Sequence, residues 1–80
     1  MVSTYLIKSL VNGIFYTGIS EDPKKRLKEH NSGKLRGTAK NKPYVLVYIK
    51  EHLNYSEARK HEKWLKKKSR DYKSKLFLYM

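Results

Sequence analysis

The chain has 80 residues, with 19 Lys+Arg against 7 Asp+Glu, a formal net charge of +12 at pH 7 and a pI of about 10.0. That length fits one domain, residues 1–80, with a small core, and excludes a large-cofactor domain joined to a substrate domain; 39% hydrophobic residues is too many for a disordered chain. The acids are too few to balance the cations, which points to an anionic partner: nucleic acid first, an anionic membrane surface second.

Residues 4–8 (Thr4-Tyr5-Leu6-Ile7-Lys8) are β-branched, aromatic and aliphatic, and predict a strand. Asn12-Gly13 is a turn dipeptide, and residues 14–19 make a second strand-like run, so the pair reads as a hairpin with its loop near Leu10–Gly13. Asp22-Pro23 reads as a helix start, with Asp as the cap and Pro at the first helical position; that helix spans Pro23–Asn31 and stops at Gly33. Residues 34–43 read as a basic loop. Tyr44–Ile49 is an unbroken apolar run, which predicts a strand covered on both faces. Ser56 is a plausible cap for a helix from Glu57 to about Lys68, and Asp71–Tyr79 predicts a last helix with Tyr72, Leu76 and Tyr79 on one stripe. The order ββαβαα gives an α+β class, with a three-stranded, mainly antiparallel sheet flanked by helices.

The chain has no Cys, which removes disulfides and thiolate metal sites. Its first residues lack a signal-peptide pattern, and the longest uncharged stretch, Ser9 to Ser20, is too short for a membrane helix of ~20 residues. A cytoplasmic protein is expected.

Four features stand out. Glu62 falls between Ala58 and Leu65 on the helix face that should be buried, and so needs a cationic partner, either a neighbouring Lys or Arg or a metal. Arg26 and His30 are four apart on one helix face; they suit either a phosphate and proton transfer or an ordinary solvated basic face. Tyr5 and Tyr16-Thr17-Gly18 sit on the two hairpin strands, where Tyr is also a common core residue and Gly18 marks a bulge or a close backbone approach. Lys34, Arg36, Lys40 and Lys42 in the loop, with Lys66, Lys67 and further basic residues toward the end interleaved with Trp64, Tyr72 and Phe77, suit phosphate contacts.

In this order, Tyr5, Tyr16-Thr17-Gly18, Arg26, His30 and Glu62 resemble the GIY-YIG nuclease superfamily. The dense pieces are Tyr16-Thr17-Gly18-Ile19-Ser20, Asp22-Pro23, Arg26-Leu27, Glu29 to Lys34, and Ser56-Glu57-Ala58 followed by Glu62. The likeness is to small stand-alone bacterial members, to the N-terminal nuclease domain of the UvrC excision-repair protein and to Slx-type nuclease subunits. The chain departs from the pattern in three places. Ser3-Thr4 precedes Tyr5 where a glycine is usual, Thr17 replaces Ile, and Ser74 stands where some members carry an Asn.

The resemblance implies a DNA endonuclease of repair or recombination type. Tyr5, Tyr16, Arg26, His30 and Glu62 would be catalytic, and one divalent metal, Mg2+ or Mn2+, would sit on Glu62. Gly18, Lys34, Arg36, Lys40, Lys42, Lys66 and Lys67 would contact the substrate. Arg26 would stabilise charge on the scissile phosphate, and Tyr5, Tyr16 or His30 would position or deprotonate the attacking water, leaving a 5′ phosphate and a 3′ hydroxyl. No small-molecule cofactor is expected. Because the chain shows no targeting domain, an unidentified targeting protein would choose the site. The alternative is a basic DNA-binding module on the same fold that cuts little. A membrane-surface role is disfavoured, because Trp64, Phe77 and the lysines do not segregate onto separate faces.

Overall fold

A computed structural model describes residues 1–76, so Phe77 and Tyr79, assigned above to the C-terminal basic stretch and the last helix, lie outside the described residues. The elements are β1 (Val2–Ser9), β2 (Phe15–Ser20), α1 (Pro23–Ser32), α2 (Arg36–Ala39), β3 (Tyr44–His52), α3 (Tyr55–Lys66) and α4 (Arg70–Leu76). The three strands form one antiparallel sheet in the order β2-β1-β3. This is the α+β arrangement expected from the sequence.

The hairpin closes where Gly13 takes a positive φ of 73°, while Ser9 Oγ accepts from the backbone N–H groups of Val11 and Asn12 and donates to the Asn41 carbonyl. β1 is the enclosed strand, with Val2 to Ile7 and Ser9 all buried. Its alternation divides the core. Tyr5 and Ile7 pack with Tyr44, Leu27 and Leu46 on the α1 face, while Leu6 packs with Val47 and Leu65 on the α3 face. β3 supplies both clusters by alternation, Tyr44 and Leu46 to the first and Val45 and Val47 to the second, and a register shift opposite Leu6/Ile7 brings Tyr48 to the second as well. It is nevertheless an edge strand, with only Tyr44 and Val47 fully buried. Enclosure on both faces belongs to β1.

α1 starts as the sequence predicts. The Asp22 carboxylate accepts from the Lys25 N–H at 3.1 Å, Pro23 follows, and Gly33 ends the helix at φ 85°. Two expectations are corrected. α3 is capped by Asn54, whose side-chain oxygen accepts from the Glu57 N–H at 2.9 Å, so the helix begins two residues before Glu57 and Ser56 lies inside it. Residues 34–43 are not all loop, because Arg36–Ala39 wind into the short helix α2. Among the described residues no helix is long and apolar enough to cross a membrane.

Candidate active site

Tyr5 is the hub of the site. It projects from the central strand opposite Gly18 of β2, and its ring lies across that glycine: a Cβ built on Gly18 would be 2.5 Å from the Tyr5 hydroxyl oxygen and 2.6 Å from Cζ. Gly18 is therefore the seat of the Tyr5 ring. It is itself buried, and the close backbone approach expected at this glycine is the one made by the Tyr5 ring.

From this seat the Tyr5 hydroxyl meets His30 Nε2 at 2.9 Å. His30 is the one fully buried residue of α1, and its other ring nitrogen, Nδ1, lies 2.8 Å from Thr38 Oγ1 of α2. Tyr16, half-exposed on β2, turns the edge of its ring toward His30 with centroids 4.9 Å apart. Tyr44 closes the other side at 5.9 Å and donates its hydroxyl to the Thr38 carbonyl. Asn31 ties the end of α1 to β3 by accepting from the Tyr44 N–H and donating to the Tyr44 carbonyl.

Arg26, one turn before His30, has its guanidinium 3.2 Å from the Glu29 carboxylate and partly exposed. Its positive charge also acts on the Tyr5 phenol. Glu62 of α3 acts on the same phenol as a negative charge. Tyr5 and Tyr16 both meet His30, Arg26 stands one turn before it on α1, and Glu62 on α3 reaches the Tyr5 phenol through its charge alone. Burial, then the Tyr16 hydroxyl, pushes the Tyr5 phenol up to about 12; Arg26 opposes and Glu62 adds to the rise. Burial, then the Arg26 charge, lowers the His30 imidazole below its ordinary value, with Glu29 opposing, which favours the neutral ring.

Glu62 lies between the fully buried Ala58 and Leu65, as its spacing predicts, with its side chain 18% exposed. Its ion-pair partner is Lys66 Nζ at 3.5 Å, so one of the residues assigned above to the substrate is engaged with the carboxylate. Among the described residues no three His, Cys, Asp or Glu side chains cluster as a metal cage. Lys34, Arg36, Lys40, Lys42 and Lys67 are exposed, and the first four belong to the segment that Thr38 anchors to His30.

Sequence reasoning missed Thr38 and Tyr44, which complete the wall around His30. It also left out Tyr55 and Arg59, which join Lys60 and Lys63, already among the expected basic residues, along one groove. A second groove of about 440 Å³, between the end of β2, the start of α1 and Tyr55, is mixed in charge, with Lys25 and Arg26 facing Glu21, Asp22 and Glu29. Arg59 with Lys63, four apart on α3, was the available signal.

Residues 1–75 match the family model described as the GIY-YIG catalytic domain. The chain belongs to the GIY-YIG family. This is a nuclease-type family. A UPF0213 protein of Aeromonas salmonicida (strain A449) is 41% identical over 78 residues, which is 92% of this chain and 54% of that protein, so this GIY-YIG chain spans about half of that relative's length. A UPF0213 protein of Enterococcus faecalis (strain ATCC 700802 / V583) is 38% identical over 65 residues, covering 78% of this chain and 74% of that protein. The solution NMR structure of a UPF0213 protein from Bacillus halodurans superposes with a TM-score of 0.56 at 32% identity, over 95% of this chain and 82% of that one.

Proposed function

We propose that this GIY-YIG chain is a metal-dependent endonuclease that hydrolyses DNA phosphodiester bonds, acting as one catalytic domain over residues 1–80. The observation that carries the reading is the buried Tyr5–His30 hydrogen bond at 2.9 Å, with Tyr16 against the same imidazole and Arg26 one turn before it on α1. Arg26 is the one group of the five that is permanently cationic and also reaches a surface groove, which suits it to stabilise negative charge on the scissile phosphate. Tyr5 and Tyr16 flank the position of the attacking water. The Tyr5 proton has an acceptor in neutral His30, so the phenol oxygen takes the water's proton as its own passes to the imidazole.

The donor set fits a hard divalent ion that keeps most of its water, because one carboxylate with no surrounding cage is what Mg2+ takes when substrate phosphate completes its shell. Glu62 would hold Mg2+ or Mn2+, which when bound polarises the phosphate and stabilises the leaving oxygen. The flanking backbone would run over the groove of Arg59, Lys60 and Lys63 and the basic segment from Lys34 to Lys42.

A second reading, a basic DNA-binding module that cuts little, draws support from the Lys66–Glu62 pair, since a cation already neutralises the carboxylate. Nicking of supercoiled plasmid with Mg2+ or Mn2+ separates the two. The endonuclease reading expects metal-dependent nicking that Glu62→Ala abolishes with the circular-dichroism spectrum unchanged. Salt-sensitive binding with no nicking by the parent chain, on duplex, flap, branched or single-stranded DNA, would select the module.

A further inference from the structure

The direction of each hydrogen bond around His30 follows from what its neighbours are able to donate. Thr38 Oγ1 lies 3.3 Å from the Leu35 carbonyl, a group that only accepts, so the hydroxyl proton is directed there. The same oxygen is then left as an acceptor toward His30 Nδ1 at 2.8 Å, which places a proton on Nδ1. The other end is compatible with this. The Tyr5 hydroxyl lies 2.9 Å from His30 Nε2, and with the ring proton on Nδ1 the bare Nε2 accepts the Tyr5 proton. His30, Thr38 and Tyr5 are all buried, and among the described residues no buried side-chain nitrogen or oxygen is left without a partner.

We propose that Thr38 is a positioning residue that fixes His30 in the Nδ1–H tautomer, keeping Nε2 free to receive the Tyr5 proton. The inference rests on the reading of Tyr5 and His30 as the proton-handling pair. It adds a third member from α2 that touches neither substrate nor reacting atoms. The arrangement follows the general logic of a base whose far nitrogen is held by a third group. The proton count balances: water gives a proton to the Tyr5 oxygen, the Tyr5 proton moves to Nε2, and the resulting imidazolium keeps its Nδ1–H on Thr38.

Valine at position 38 keeps the branched shape and removes the acceptor. A protonated Nδ1 would then be a buried donor with no partner, which is costly. The ring escapes that cost by moving its proton to Nε2, which reverses the bond to Tyr5, so that His30 donates to the phenol and cannot take its proton. Serine keeps the acceptor and restores the original direction.

The test is long-range proton–nitrogen NMR on the full-length 15N-labelled chain near neutral pH, which reads which ring nitrogen of His30 carries the proton. The parent chain and Thr38→Ser are expected to show a protonated Nδ1 and a bare Nε2, and Thr38→Val a majority of the opposite form. With plasmid nicking as the second readout, Thr38→Val is expected to lower kcat about tenfold or more with KM within about twofold, and Thr38→Ser to recover most of the rate. A protonated Nε2 in the parent chain, or an unchanged tautomer in Thr38→Val, overturns the proposal whatever the nicking rate. If Thr38→Val does not fold, the parent and Thr38→Ser spectra still decide. A parent chain that shows the Nδ1–H form but nicks nothing removes the nuclease reading and leaves the Thr38 assignment standing.

Discussion

Substituting Gly18 by Ala tests whether the seat of Tyr5 is as tight as the geometry requires. The backbone at Gly18 is not in the positive-φ region, so an added methyl meets a packing problem alone. Its Cβ would stand 2.5 Å from the Tyr5 oxygen, 2.6 Å from Cζ and 2.9 Å from Cε2, whereas ordinary contact begins at 3.4 Å, so the ring must retreat by 3.4 − 2.5 = 0.9 Å. It has little room to do so, since Tyr5 is 2% exposed and its hydroxyl is held 2.9 Å from His30. Overpacking costs ~1–3 kcal/mol and a lost buried hydrogen bond ~0.5–1.5, together ~2–4 kcal/mol. A domain of this length has ~4–12 kcal/mol in all, and each ~1 kcal/mol moves Tm by ~4–8 °C, so Gly18→Ala should lower Tm by roughly 10–25 °C in far-ultraviolet circular dichroism. In a Tyr5→Leu background, where the three clashing atoms are gone, the same substitution should cost under about 1 kcal/mol. A Gly18→Ala variant melting within about 3 °C of the parent would refute the reasoning.

Asn54→Ala should cost about 1 kcal/mol in urea unfolding by removing the α3 cap, while Ser56→Ala, inside the helix, should be near neutral. His30 and His61 both hold imidazoles that burial lowers below the ordinary value of about 6.5, so between that value and their folded values the unfolded chain binds more protons. Stability is therefore full above about pH 6.5 and falls as pH drops through the folded values; urea midpoints from about pH 7.5 to about pH 5 should show the slope, and replacing both residues by Gln should flatten it. Lys66→Ala removes a partly exposed ion pair, so stability should change by less than about 1 kcal/mol, while calorimetric Mn2+ affinity at Glu62 should tighten by up to about fivefold as the competing cation leaves.

The sheet and the helix starting at Asp22 were legible because local chemistry and global fold agree there: a turn glycine, alternating or apolar strands, and an Asp-Pro start. Asn54 was passed over for Ser56 because both are good caps two residues apart, and the difference lies only in where β3 releases the chain. α2 was hidden by its four residues, one of them Gly37. Within the candidate site, Glu62 was visible because a carboxylate on an apolar stripe breaks a pattern, and Arg26 with His30 because helical spacing pairs them. Thr38 breaks no pattern. A threonine among lysines in a presumed loop looks ordinary until the His30 ring is found against it. Gly18 was seen as a close approach, but the identity of the approaching group, Tyr5, depends on strand register and not on local sequence.

The enclosure of β1 has a consequence for hydrogen exchange. Paired along both edges and covered on both faces, its amides should exchange only when the whole domain opens, so Tyr5 belongs to the last cooperative unit to be lost. The opposite wall buries fewer groups. His30 is the one fully buried residue of α1 and Thr38 the one of α2, and beyond their bond to each other the arm is tied to β3 through Leu27, Asn31 and Tyr44. Half the site thus rides on the most persistent strand and half on an arm expected to open in partial excursions at lower free energy. On warming, that arm should lose amide protection, and with it the arrangement around His30, well before β1 melts.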